Sequence, residues 1–284
     1  MSVAVIGNLS DGVILGVDSA ITVPASKGSV LKVYENAEKL FPLGSLQIGI
    51  AIFGLGAFGN RTIGSYLREF ELTNWYQAYA ENSKIEVIAE QLRLFLYNKY
   101  CEIITPELEV TYKKKFEDIP DKNKPGFGLI IGGFSPGEYL SEVRLIVIPK
   151  HDEINSTEII RQQGSFGTNW FATFEPIRRY FMGYDSNLIN DILRFITKDL
   201  NRSLNSDEKK QFSSLIGKHE YKVPFNAMPI DEGINHIRFL VELVINHHKF
   251  TIGAPVVGGR VNIGMVSYNG RGFQIIKDNE RKTS

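Results

Sequence analysis

The order of the predicted elements places this chain in the α+β class. Strand patterns come first, two helical patterns follow, and strands and then helices recur before a final strand pair. Such grouping favours antiparallel sheets packed against helical layers over an alternating parallel α/β sheet. With 284 residues, 43% of them hydrophobic, the chain is long enough for one large domain over residues 1–284, or for a core with an inserted subdomain.

The first strands are predicted from apolar runs that are bounded by turn residues. Residues 2–9 and 12–17 are strand-like, and an Asp-Gly turn separates them. A second pair covers residues 38–43 and 47–53. These four strands precede any helical pattern.

Helical periodicity begins after the fourth strand. Apolar residues recur at i, i+3, i+4 and i+7 over residues 63–70, and a similar pattern covers 83–100. Two successive helices would cover one face of a sheet. The stretch 105–125 is polar and rich in Lys, Asp and Pro, which predicts an exposed excursion from the core.

The second half of the chain repeats this grouping. Its predicted elements are strands over 127–134 and 143–148, helices over 169–181 and 234–248, and strands over 261–266 and 272–277. Between the two helices, the segment 186–229 contains further helix-like pieces.

Composition argues against several classes of function. The 32 basic and 32 acidic residues balance, so no overall charge attracts nucleic acid or anionic lipid. No apolar run approaches the roughly 20 residues that span a bilayer. Cys101 is the only cysteine, and no signal peptide is visible at the N-terminus, so we expect a cytoplasmic protein.

No cofactor or metal is predicted. The five histidines do not combine with Cys, Asp or Glu at ligand spacing. The Gly-rich stretches, Gly54-Leu55-Gly56 and Gly258-Gly259, match neither of the phosphate-binding glycine patterns.

Ser2 is the first candidate catalytic residue. Its small side chain favours removal of Met1, which would leave a serine with both a hydroxyl and a free α-amine. An α-amine titrates near pH 8, at about 7.7–8.0, and can act as general base for its own hydroxyl. No propeptide is expected, because only Met1 precedes this residue.

The opening of the chain resembles a proteasome β-subunit, an N-terminal nucleophile (Ntn) hydrolase. The resemblance matches Ser2 to the nucleophile, Asp18 to the acid that ends the second strand, and Lys39 to the lysine of a Lys-hydrophobic-Phe run. Gly54 matches the glycine whose N–H stabilises the oxyanion. The resemblance implies a four-layer αββα sandwich in which Lys39, paired with Asp18, lowers the proton affinity of the nucleophile. The stretches at about 105–125 and 186–229 then become insertions.

The resemblance also implies supporting residues. Ser165, in a Gly-Ser turn, would lie near the α-amine of the nucleophile, and Ile21, Ala37 and Ile52 would form an apolar pocket for the acyl side of the substrate. Gly258-Gly259 matches the pair that opens a late strand in the family. The family usually has an acid just before this pair, and this chain has none.

The sequence therefore predicts a proteasome-like Ntn hydrolase that cleaves peptide bonds by acyl transfer to an N-terminal serine. The resemblance implies a peptide or protein substrate and a homo-oligomer, plausibly a ring, while an ATPase partner stays open. Two alternatives also stay open. The missing late acid favours a non-catalytic scaffold or regulator of the same fold, and the insertions favour an amidohydrolase or peptide ligase of narrow specificity.

Overall fold

The computed structural model describes residues 2–24, 30–149, 157–252, 257–269 and 272–276. These residues form two compact units. The first contains the chain up to Thr173 together with the part from Phe225 onward, and the second is Phe174–Pro224.

The first unit is built on two five-stranded antiparallel sheets. The first sheet has the order β12-β1-β2-β13-β14. Its strands are β1 (Val3–Leu9), β2 (Gly12–Asp18), β12 (Gly167–Ala172), β13 (Val261–Ser267) and β14 (Phe273–Ile276). The predicted hairpin of the first two strands is therefore at the centre of a sheet, and its apolar runs are fully buried.

The second sheet has the order β11-β10-β9-β6-β5. Its strands are β5 (Leu40–Pro42), β6 (Ile48–Gly54), β9 (Phe127–Gly133), β10 (Glu142–Ile148) and β11 (Glu158–Arg161). Two short ribbons complete the strands, β3 (Ile21–Pro24) with β4 (Val30–Tyr34) and β7 (Ala57–Phe58) with β8 (Arg61–Thr62).

An apolar core holds the two sheets face to face. Leu15 and Val17 of the first sheet pack in one cluster with Ala51, Ile130 and Val143 of the second. These side chains lie on inward-facing positions of their strands, as expected where two sheets pack at about 10 Å.

Helices cover both outer faces of this sandwich. On the second sheet lie α1 (Ile63–Glu71), α2 (Asn74–Tyr79) and α3 (Ile85–Tyr112), whose apolar side chains form one core with that sheet. On the first sheet lies α7 (Ile230–Phe250). The helix packs so closely on this sheet that a Cβ added to Gly16 would lie 2.5 Å from Ile237 Cγ2. The unit is thus an αββα arrangement of four layers, as predicted.

Two of the differences from the predicted elements concern the segments 169–181 and 105–125. Residues predicted as the start of a helix over 169–181 instead belong to β12, because this segment pairs antiparallel with β1 along nearly its whole length. The helix there, α4 (Glu175–Met182), begins only after that strand. In addition, α3 continues to Tyr112 through Pro106, so the first part of the stretch 105–125 is helical rather than an exposed excursion.

The second unit is helical. It contains α4, α5 (Ser186–Arg194), a π-helical turn (Phe195–Asp199) and α6 (Ser206–Gly217). A capping box begins α6. The side chain of Asn205 accepts the backbone N–H of Glu208, and the side chain of Glu208 accepts the backbone N–H of Asn205, so N–H groups at the start of the helix are hydrogen-bonded. Most of the predicted insertion over 186–229 falls in this unit, and its role as an insertion stays a prediction. Over the described residues, each helix is too short or too polar to cross a membrane.

Leu15→Ala should lower the free energy of unfolding by about 2–5 kcal/mol, because Leu15 is fully buried between the sheets and its loss leaves a cavity. Leu72→Ala, at a side chain that is 77% exposed, is the matched control and should change stability little. Urea unfolding of both variants measures the difference. Equal effects would contradict the core assignment.

Candidate active site

The first hairpin brings Ser2 and Asp18 together. Because β1 and β2 pair antiparallel, the start of one strand lies beside the end of the other. The backbone N–H of Val3 donates a 3.1 Å hydrogen bond to Asp18 Oδ1. Ser2 is 3% exposed and Asp18 is fully buried; Met1 lies outside the described residues.

Lys39 joins this pair from the second sheet, directly before β5. Its Nζ lies 2.7 Å from Asp18 Oδ1 and donates a 3.0 Å hydrogen bond to Ser2 Oγ. The lysine side chain is only 4% exposed. Burial lowers the pKa of Lys39 below the usual lysine value of 10.5, while the charge of Asp18 and its hydrogen bond act in the opposite direction.

The carboxylate of Asp18 accepts four hydrogen bonds. Oδ1 takes the N–H of Val3 and the ammonium of Lys39, and Oδ2 takes the N–H groups of Ala20 and Gly258, each at 3.3 Å. The segment just before the late strand, where the family usually has an acid and this chain has none, therefore contributes a backbone N–H to this site. Its donor, Gly258, precedes β13.

Gly54 ends β6 in a conformation that favours glycine. Its φ is +85°, and a Cβ there would lie 2.6 Å from the carbonyl oxygen of Gly126. The N–H of Ile52, two residues earlier, donates a 2.9 Å bond to the carbonyl of Lys39. The end of β6 therefore runs beside the segment that carries the lysine.

The structure does not bring Ser165 to Ser2. The carbonyl of Ser165 accepts a 2.9 Å hydrogen bond from Asn8 Nδ2, and Asn8 lies six residues along β1 from Ser2, or about 20 Å at about 3.3 Å per residue. The predicted contact with the α-amine is wrong for a physical reason: β12 extends along β1 between Ser165 and the neighbourhood of Ser2.

Thr173, rather than Ser165, is hydrogen-bonded to Ser2. Its backbone N–H donates a 2.9 Å hydrogen bond to the carbonyl of Ser2. Ala172, the last residue of β12, has a φ of +65°, where glycine is usual. The Gly-Ser pattern of the family occurs at Gly164-Ser165 and not at Ala172-Thr173, so it did not indicate Thr173.

The three predicted pocket residues are buried or partly buried at different places, and their shared role in a substrate pocket stays a prediction. Ala37 lines a pocket of about 280 Å³ beside Lys39, together with Arg260. Ile52 is 4% exposed and belongs to the core under α1 and α3. Ile21 contacts Gly56, where a Cβ would lie 3.1 Å from its Cδ1.

No family model and no curated protein sequence matches this chain. The chain is similar to two solved structures along nearly its whole length. One is a Gly-1 mutant of Anbu from Hyphomicrobium sp. strain MC1, with a TM-score of 0.55 and 9% identity over 99% of this chain and 89% of that one. The fold is that of the proteasome-like Ntn hydrolases. The other structure is Anbu, an ancestral beta-subunit, from Yersinia bercovieri, with a TM-score of 0.52 and 12% identity over 98% and 88%.

The described part of this Ntn fold contains no cluster of three or more His, Cys, Asp or Glu side chains that could hold a metal ion.

Asp18→Asn should lower the free energy of unfolding by about 3–5 kcal/mol at neutral pH, because it leaves Lys39 buried without its counter-charge. The same change should lower the pKa of Lys39 further, since the charge of Asp18 raises it. Asp191→Asn, in an ion pair whose side chains are each 65% exposed, is the control and should change stability little. A stable, wild-type-like Asp18→Asn variant in urea unfolding would show that the pair is not required.

Proposed function

We propose that this chain, after loss of Met1, is an Ntn hydrolase that cleaves amide bonds by acyl transfer to Ser2. The observation that carries the proposal is the 3.0 Å approach of Lys39 Nζ to Ser2 Oγ, in a buried site where Asp18 binds the same lysine. A nucleophile within hydrogen-bond reach of a base that a third group orients is the usual arrangement of covalent catalysis.

In the first step, Ser2 Oγ attacks the carbonyl carbon of the substrate and its proton passes to the uncharged amine of Lys39. The carbonyl oxygen becomes an oxyanion, which the N–H of Gly54 stabilises. One such donor contributes about 10²–10³-fold in rate. The amide C–N bond then breaks as the leaving nitrogen takes the proton from Lys39, and water hydrolyses the ester on Ser2.

Lys39 is assigned as proton acceptor on geometry and burial together. Its Nζ lies at hydrogen-bond distance from Oγ, which a general base requires. Burial favours its uncharged form by lowering its pKa, whereas Asp18 keeps it oriented. The free α-amine of Ser2 is the second group that can hold a proton here.

A peptide or protein is the proposed substrate, and the pocket beside Lys39 offers room for one of its side chains. We also infer self-association into a homo-oligomer, as the resemblance to proteasome β-subunits implies. Light scattering of the purified chain tests the oligomer. A monomer that is still acylated at Ser2 would contradict the inferred homo-oligomer but would not contradict the proposed hydrolase activity.

Intact mass and covalent labelling test the activity. The purified chain should lack Met1, and a β-lactone or epoxyketone should modify it at Ser2, as located by peptide mapping. Ser2→Ala should not be labelled, whereas Ser2→Cys should be, because it retains a nucleophile. A chain that keeps Met1 and is not labelled would favour the non-catalytic scaffold instead.

The Lys39→Arg variant tests whether Lys39 acts as a proton acceptor or only through its positive charge. Arginine keeps the positive charge beside Asp18 but does not release a proton in this pH range, so acylation should be lost at every pH. For the wild type, the acylation rate should rise with pH through a pKa below 10.5, because the uncharged lysine accepts the proton and burial lowers its pKa.

Single-turnover labelling at pH values from about 6 to 10 measures both profiles. Lys99→Arg is the matched control, because Lys99 also pairs with a carboxylate, that of Glu69, but lies on α3. It should leave the profile unchanged. Wild-type labelling of Lys39→Arg would mean that Lys39 acts through its charge alone and that the α-amine is the base.

A further inference from the structure

Ser19 binds two segments that frame the site. Its carbonyl accepts a 2.8 Å hydrogen bond from the N–H of Ala37, and its N–H donates to the carbonyl of Gly258 at 3.3 Å. Its hydroxyl donates to the carbonyl of Glu35 and accepts the N–H of Arg260 at 2.7 Å. The residue is 2% exposed, so water does not replace these partners.

The two segments are those that carry the chemistry. Glu35 and Ala37 precede Lys39 on the chain, and Gly258 donates to the carboxylate of Asp18. After Lys39 the chain is fixed by the N–H of Ile52, which binds the lysine carbonyl. Before Lys39, the bonds to Ser19 hold the chain.

The fit around the hydroxyl is close. Gly259 has a φ of +75°, and a Cβ on it would lie 2.4 Å from Ser19 Oγ and 2.6 Å from the carbonyl oxygen of Glu35. The turn between Gly258 and Arg260 therefore passes directly over Ser19. The single oxygen of a hydroxyl can donate to one of these backbone groups and accept from the other.

We propose that Ser19 is a positioning residue for the acyl transfer of the proposed function, because its hydroxyl ties the segment before Lys39 and the turn before β13 to the strand end that carries Asp18. It acts through Lys39 and does not touch the reacting atoms. Its removal should displace Nζ relative to Ser2 Oγ. A displacement of about 1 Å at a reacting group can lower a rate about 10²-fold.

The test compares two buried serines in the full chain. Ser19→Ala should slow single-turnover labelling of Ser2 by a β-lactone about 10²-fold. Ser141→Ala is the matched control: Ser141 is 3% exposed, and its hydroxyl donates a 2.7 Å bond to Asn8 Oδ1, at the far end of β1. It should label at the wild-type rate while losing a similar amount of thermal stability.

Ser19→Thr retains the hydroxyl and should restore labelling to within a few-fold of wild type, which loss of stability alone would not predict. The inference is overturned if Ser19→Ala labels at the wild-type rate, if Ser141→Ala is slowed by the same factor, or if Ser19→Thr is as slow as Ser19→Ala. These three comparisons require that the wild-type chain is labelled at Ser2. An unlabelled wild-type chain would instead refute the proposed hydrolase activity.

Discussion

The buried ion pair between Lys39 and Asp18 is the interaction on which the geometry at Ser2 depends. Taking two charges out of water is costly, and their attraction offsets this cost only when the remaining polar atoms are also bonded. Here the carboxylate receives three backbone N–H groups in addition to the ammonium. The lysine uses its second contact for the hydroxyl of Ser2, so the requirement to satisfy a buried cation also orients this hydroxyl.

The pair also depends on the packing of the two sheets. Asp18 ends a strand of the first sheet and Lys39 precedes the edge strand of the second. The distance between them is therefore set by the apolar core that contains Leu15, Val17 and Ala51. Cores of this kind are close-packed and deform little, which suits a site whose donor and acceptor come from different layers.

Much of the fold was predictable from the sequence because strand and helix periods are local. The first hairpin, the helices on the second sheet and the approach of Ser2, Asp18 and Lys39 were all predicted. The helix predicted over 169–181 was wrong in its first half, since strand pairing with β1 overrode the local pattern. Thr173 was missed for the same reason: its contact with Ser2 depends on a pairing between distant parts of the chain.

The four bonds to the carboxylate of Asp18 have a consequence for the order in which this site can assemble. Their donors come from β1, from the residues just after β2, from the segment before β5 and from the turn before β13, which is more than 200 residues away along the chain. Because the last donor is synthesised late, this arrangement cannot be complete on a partly made chain. The geometry around Ser2 therefore depends on the C-terminal part of the chain as well as on the first hairpin.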